Sequence, residues 1–226
     1  MEERTRGPAE APNLGTPAEP RPAASIVLLR RGGKHGDREL EVLLLKRSAE
    51  AKFMPNVWVF PGGAVDPADG AEEAGYRACA VRELAEEAAI ELPAAEELVL
   101  FSRWITPAVI STRFDAWFFL ALAPAHTPPQ PDGTETVEAR WFHPAGALEA
   151  QAAGEIVLAF PTISQLQLLS EFRTSEEALA AYREREIEPI LPVVLGDREN
   201  HRVVMPGDPD YPAGNGSRPA CQGPGG

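Results

Sequence analysis

Short apolar runs separated by turn-forming residues dominate the first half of the chain. Ala24–Arg31 (ASIVLLRR) and Leu40–Arg47 (LEVLLLKR) are apolar and β-branched, and read as two strands joined through the turn-prone Gly32-Gly33-Lys34-His35-Gly36-Asp37. Val57–Phe60 is a short third strand, stopped by Pro61-Gly62-Gly63. The pattern then changes period. Glu72 to about Ile90 is alanine-rich, with Ala74, Ala78, Val81, Leu84 and Ala88 spaced to pack one side of a helix. Leu98–Ile105, Phe114–Ala123 and Glu135–Phe142 return to strand character. Weaker helical patterns follow at Ala145–Ala153, Ile163–Phe172 and Ser175–Glu184. Strands on both sides of a central helix, with helices after them, predict an α/β fold: a mixed sheet sandwiched by helices.

Residues 1–22 and 206–226 lack apolar periodicity and are rich in Pro, Gly and Ala, so both are expected to be mobile tails around one domain spanning 23–205. The length of 226 residues and a 44% hydrophobic content suit one core of ample size. A formal net charge of −13 argues against broad binding to nucleic acid or an anionic membrane. It leaves room for a small phosphorylated substrate, because a bound divalent cation inverts the local field. Cys79 and Cys221 form no CxxC pair, which disfavours a disulfide framework or zinc site and fits a reducing cytoplasm. Neither a signal-peptide pattern nor a transmembrane-length apolar run is present. A soluble cytoplasmic protein is therefore expected.

The chemistry is concentrated in the central helix. Glu83, Glu86 and Glu87 stand at i, i+3 and i+4 and project to one side. Three carboxylates so placed repel one another unless solvent, a cation or basic partners compensate, and hard divalent metals prefer such oxygen ligands. Taken alone, an ExxEE run is more often a solvated acidic face. Gly62-Gly63, just upstream, permits close backbone approach to a ligand.

The context sharpens this. From Gly63 through Arg82-Glu83-Leu84-Ala85-Glu86-Glu87 to Ile90 the chain resembles the Nudix box, Gly-x5-Glu-x7-Arg-Glu-U-x-Glu-Glu-x-Gly-U, where U is bulky and apolar. Two departures stand out. The interval from Gly63 to Arg82 is five residues longer than in the box, an insertion somewhere in Asp69–Ala74. Counting forward from Gly63 puts Asp69 at the first acidic position, whereas counting back from Arg82 puts Ala74 there. Ala89 also replaces the family glycine, so the helix is expected to end differently. Upstream, Leu43 to Gly63 is similar to the segment that marks coenzyme A diphosphatases, Leu-Leu-Thr-x-Arg-Ser-x3-Arg-x3-Gly-x3-Phe-Pro-Gly-Gly, with Leu45, Lys52 and Asn56 replacing its Thr, Arg and Gly. Phe53-Met54-Pro55-Asn56, Val65–Asp69, Trp104–Pro107 and Arg113-Phe114-Asp115 resemble the branch holding peroxisomal coenzyme A diphosphatases and bacterial relatives.

The resemblance implies a Nudix-type α/β/α sandwich and a Mg²⁺- or Mn²⁺-dependent hydrolase acting on a diphosphate in a small nucleotide conjugate. It implies Glu83, Glu86 and Glu87 as metal ligands, a backbone carbonyl from the Gly63 region, and Arg82 orienting a glutamate. As an ordinary surface pair with Glu86, Arg82 would contribute only about 0.3–0.5 kcal/mol. Arg47 and Lys52, with Gly62 and Gly63, are candidates for contact with substrate phosphates. Glu135 and Glu138 are candidates for the general base. Coenzyme A or an acyl-coenzyme A is the leading substrate; ADP-sugars and dinucleoside polyphosphates are rivals. Other rivals are a non-catalytic nucleotide-binding regulatory domain and, last, an isomerase of allylic diphosphates. The four histidines show no paired metal spacing, the tryptophans read as core, and Cys79 reads as a small buried apolar residue. Dimerisation is left open.

Overall fold

The structure, a computed structural model, describes residues 16–35, 38–196 and 201–212. Its centre is an eight-stranded mixed sheet. The first strand, β1 (Arg21–His35), pairs antiparallel with β2 (Arg38–Arg47). Two short strands follow, β3 (Trp58–Val59) on β2 and β4 (Gly62–Ala64) on the start of β1. After helix α1 (Glu72–Ala88) come β5 (Val99–Ile105), β6 (Phe114–Leu122) and β7 (Thr136–Phe142). Strand β6 runs parallel to β1 and antiparallel to β5, whereas β7 closes antiparallel on β2. Helices α2 (Pro144–Ala152), α3 (Phe160–Leu169) and α4 (Ser175–Tyr182) precede β8 (Pro189–Ile190), which pairs with β5, and a separate hairpin of β9 (Val193–Gly196) and β10 (His201–Val204).

Strand alternation sorts the core into two layers. Ala24, Ile26, Leu28, Leu43, Leu45 and Phe119 point to one face and bury Cys79, Ala80, Leu84 and Ala88 of α1. Val27, Leu29, Val42, Leu44 and Leu120 point to the other and meet Ala147, Leu166 and Leu179 of α2, α3 and α4. The molecule is therefore a helix–sheet–helix sandwich, as expected. Among the described residues no helix is long and apolar enough to cross a membrane.

Some boundaries move. Strand β1 begins at Arg21, inside the segment expected to be a tail, because its first residues pair with Phe114 and Asp115. It also continues through Gly32–His35, where a turn was expected; Gly36 and Asp37 lie outside the described residues. Near the other end, Tyr211 donates its hydroxyl to the Leu191 carbonyl at 2.8 Å, so the chain is still packed at that point. The remaining tail positions, 1–15 and 213–226, lie outside the described residues. The buried side of α1 is Gly75, Cys79, Ala80, Leu84, Glu87 and Ala88. Ala74 is exposed and Ala78 and Val81 are only half-buried, so the packing stripe is rotated from the one expected. Small residues let the helix settle close to the sheet along Cys79 and Ala80 instead.

The end of α1 also differs from expectation. Ala89 takes the left-handed conformation, φ 53° and ψ 37°, and its N–H caps the Ala85 carbonyl. Alanine thus ends the helix in the geometry that glycine adopts more readily, and the different ending anticipated for this substitution does not occur.

Candidate active site

Two elements of this framework create the site. The turn after β3 brings β4 back onto β1, with Ser25 opposite Gly62 and Ala24 opposite Gly63. The last turns of α1 then lie beside it. A side chain on Gly62 would strike the Ala24 carbonyl and Ser25, and one on Gly63 would strike the Glu83 carboxylate. Close approach of the β1 backbone requires glycine at 62, whereas at 63 an added methyl would only push the Glu83 carboxylate aside.

Arg82 is the hub. Its Nε and Nη2 donate to the two oxygens of Asp69, both at 2.9 Å, in a forked pair. Its Nη1 donates to Glu83 at 2.7 Å and Glu86 at 3.0 Å, and Nη2 also reaches the Ala64 carbonyl at 3.2 Å. These contacts bear on the two alignments of the box. Asp69, whose side chain is only 5% exposed, is the acid that Arg82 engages, which favours counting forward from Gly63 and puts the extra residues at Gly70–Ala74, from the end of the short turn Pro67–Asp69 into the first turn of α1. Sequence counting left Asp69 and Ala74 as equals; only the fork with Arg82 separates them.

Glu83, Glu86 and Glu87 share a side of α1 but not an environment. The Glu83 side chain is 13% exposed and that of Glu86 59%. Glu87 is buried, and one of its oxygens accepts the Gly62 N–H at 2.9 Å. Burial pushes the Glu87 carboxyl up to about 8, against the pull of the Gly62 N–H and the positive charge of Arg47. Burial also raises Glu83, despite its bond to Arg82. Asp69 goes the other way, its hydrogen bonds to Arg82 holding it below the usual carboxylate range. Cys79 lies beneath this cluster with its thiol against the Ala64 carbonyl, and burial lifts it to about 12, which fits a packing residue rather than a nucleophile.

Among the described residues no three acidic, histidine or cysteine side chains converge closely enough to hold an ion as they stand. The reason is local: Arg82 draws Glu83 and Glu86 toward itself, while Glu87 turns to Gly62. The donor chemistry nevertheless fits a hard divalent cation. Glu83, Glu86, Glu87 and the Gly63 carbonyl offer only oxygen, and the carboxylates of Glu83 and Glu87 lack enough positive charge to ionise at their ordinary values.

Two segments flank the acids. Arg47, at the end of β2, donates from Nε to the Phe53 carbonyl at 2.9 Å, closing the 48–56 loop, and its charge is felt by Glu87. Within that loop Asn56, which stands where the coenzyme A diphosphatase segment has glycine, has φ 61°, a conformation that glycine adopts without strain and asparagine tolerates better than most residues. Lys52 is exposed on the same loop and, among the described residues, makes no hydrogen bond or ion pair, so the structure does not bring it to the acids.

The second segment precedes β7. Asp132 accepts the backbone N–H groups of Thr134, Glu135 and Thr136 at 2.6, 2.7 and 3.0 Å. Thr136 Oγ1 lies 3.0 Å from the Glu87 carbonyl and 2.9 Å from Asp132. Glu135 is exposed and interacts electrostatically with both Glu83 and Glu87. Glu138, the other candidate base, is instead engaged by Arg140 at 2.8 Å and Lys46 at 3.9 Å, away from the acids. Asp132 and Thr136 were not singled out from sequence; the Asp-Gly turn at 132–133 was the available signal.

The NUDIX domain family model matches residues 19–160. The Caenorhabditis elegans protein named "Putative nudix hydrolase 7" is 30% identical over 187 residues, covering 68% of this chain and 61% of that protein. The chain thus spans under two thirds of the nematode relative's length. The acyl-coenzyme A diphosphatase NUDT19 of Xenopus laevis is 23% identical, covering 77% of this chain and 72% of that protein. The crystal structure of a NUDIX hydrolase from Alicyclobacillus acidocaldarius superposes with a TM-score of 0.64 at 26% identity, over 72% of this chain and 96% of that one.

Proposed function

The chain belongs to the Nudix domain family, and from that premise we propose that it is a Mg²⁺- or Mn²⁺-dependent hydrolase of a nucleoside diphosphate conjugate. Coenzyme A or an acyl-coenzyme A is the foremost substrate. The observation that carries this reading is the arrangement at Arg82, which orders Asp69, Glu83 and Glu86 around one guanidinium while Glu87 is buried beside the glycine turn.

Glu83, Glu86, Glu87 and the Gly63 carbonyl would hold the cation. Once bound, it neutralises diphosphate charge that otherwise repels a nucleophile and builds on the leaving group. The chain's own residues do the rest. Asp69 fixes Arg82, and Arg82 fixes the rotamers of Glu83 and Glu86. Arg47 faces the substrate phosphates with a guanidinium already oriented by the Phe53 carbonyl. Glu135, exposed and close to Glu83 and Glu87, accepts the proton of the attacking water. Lys52, exposed on the neighbouring loop, is the remaining candidate for contact with the outer phosphates.

The substrate preference rests on the Leu43–Gly63 segment, on Asn56 adopting a glycine-like backbone at its glycine position, and on a relative whose name is acyl-coenzyme A diphosphatase. The test is a mass-spectrometric product screen of wild type and Glu87→Gln with either metal. Coenzyme A, acetyl-coenzyme A, ADP-ribose, NADH and a dinucleoside polyphosphate are offered in turn. Coenzyme A should give 3′,5′-ADP and 4′-phosphopantetheine, and the substitution should abolish this with the fold intact. Turnover of another conjugate would retain the chemistry and discard the substrate. Tight metal-dependent binding without turnover would make this a regulatory domain.

A further inference from the structure

Strand β7 carries an irregularity exactly one residue long beside the site. Lys46 pairs with Glu138 but Arg47 pairs with Thr136, so Val137 is skipped. This is a β-bulge, and it reverses the alternation of every residue before it. Ala139 points to the α1 side, packed with the Leu43 and Leu45 layer. Without the bulge Thr136 would point away from α1. With it, Thr136 is fully buried against α1 and reaches the Glu87 carbonyl, while Val137 is 48% exposed.

The consequence is a loop held from four directions. The Gln130 N–H donates to the Ala88 carbonyl at 2.8 Å, and the Glu135 carbonyl accepts the Ser48 N–H at 2.8 Å. The Glu135 N–H goes to Asp132, and Thr136 reaches both Asp132 and α1. These bonds use carbonyls at the end of α1 that have no partner within the helix. The backbone of Glu135 is thereby fixed on both sides while its carboxylate stays exposed next to Glu83 and Glu87. The same bonds that satisfy the helix end thus fix the backbone of one acid, and placing a further carboxylate beside Glu83 and Glu87 is unfavourable by itself.

We infer that Asp132 and Thr136 are positioning residues, a latch between the β7 bulge and the end of α1 that holds the Glu135 carboxylate at the reacting diphosphate. This deepens the proposed function and rests on it. Asp132 is ionised in this role: burial works to raise it, but the N–H groups of Glu135, Thr134 and Thr136 and the Thr136 hydroxyl hold it below the usual range. The Thr136 hydroxyl has a single proton for two acceptors, so it is shared between the loop and the helix.

The experiment compares wild type, Thr136→Val, Thr136→Ser, Asp132→Asn and Glu135→Gln in full-length protein. Turnover of coenzyme A with Mg²⁺ is measured alongside backbone amide exchange at Glu135. Thr136→Val should lower kcat about 10- to 100-fold with KM within about twofold, because the acid is displaced rather than removed. Thr136→Ser, which restores the hydroxyl, should recover most of the rate, a rescue that loss of packing would not show. Amide exchange at Glu135 should accelerate about tenfold or more in Thr136→Val, with α1 amides unchanged. Asp132→Asn should act in the same direction in case the valine variant folds poorly. The latch is overturned if Thr136→Val leaves exchange at Glu135 unchanged, or if it and Thr136→Ser lose rate equally. Full turnover in Glu135→Gln would overturn the latch as well, whereas a wild type that turns over no coenzyme A would sink the functional reading while the exchange result stands on its own.

Discussion

Replacing Ala89 with glycine should stabilise the protein. Ala89 closes α1 with φ 53° and ψ 37°, its N–H bonded to the Ala85 carbonyl at 3.0 Å. A left-handed conformation costs an L-residue about 1–2 kcal/mol. Ala89 is exposed, so its methyl buries little and its removal opens no cavity. Against the relief stands the greater freedom of glycine in the unfolded chain, about 0.4–1 kcal/mol. The difference leaves a gain of about 0.5–1 kcal/mol, or about 1–4 °C in Tm for a chain of this size. Thermal unfolding and urea titration of metal-free protein would read it, with the urea m-value unchanged. Ala85→Gly is the control: inside the helix the same replacement should destabilise by about 0.5–1 kcal/mol. A Tm for Ala89→Gly at or below wild type, with the control behaving as stated, would refute the strain argument.

Metal-free protein should lose stability as pH rises from about 4.5 to about 8, since burial pushes Glu87 up to about 8 and the unfolded chain gives up that proton near 4.5. The folded state holds more protons across that window, so the contribution is fully present below it and lost above it. The loss is on the order of a few kcal/mol. Urea titrations at pH 5 and 8.5 should show it shrinking in Glu87→Gln and on adding Mn²⁺; an identical pH dependence in the variant would sink it. Asp69→Asn should cost about 1–3 kcal/mol, because a nearly buried charged partner of Arg82 is lost, and activity should fall with it; stability within error of wild type would contradict the hub. Gly63→Ala should abolish turnover while leaving the fold intact, the added methyl pushing the Glu83 carboxylate aside, and a kinetic assay with circular dichroism tests both halves.

What could be read in advance follows the range of the interactions involved. The strands β1, β2, β5, β6 and β7 and helix α1 carry their own apolar periodicity, so they were legible to within a few residues. Strand β4 was not, because Gly62-Gly63-Ala64 has no strand propensity and exists only through pairing with β1. The packing side of α1 was misjudged for a related reason: Gly75, Cys79 and Ala80 are small, and apolar counting undervalues them. In the candidate site, Glu83, Glu86 and Glu87 were proposed from their shared helix face together with the resemblance to the Nudix box, the spacing alone being that of a common solvated face. The choice of Asp69 over Ala74 needed the Arg82 fork, and the choice of Glu135 over Glu138 needed the partners of each. Thr136 was invisible in advance because a bulge changes which way a residue points without leaving any mark in the composition.

Strand β1 hydrogen-bonds to β2, β4 and β6, so the turn that carries Gly62 and Gly63 is sewn directly to the strand at the centre of the fold. Catalytic geometry and global folding therefore share one cooperative unit. Heat inactivation should superimpose on global unfolding, with no preceding melt confined to the site.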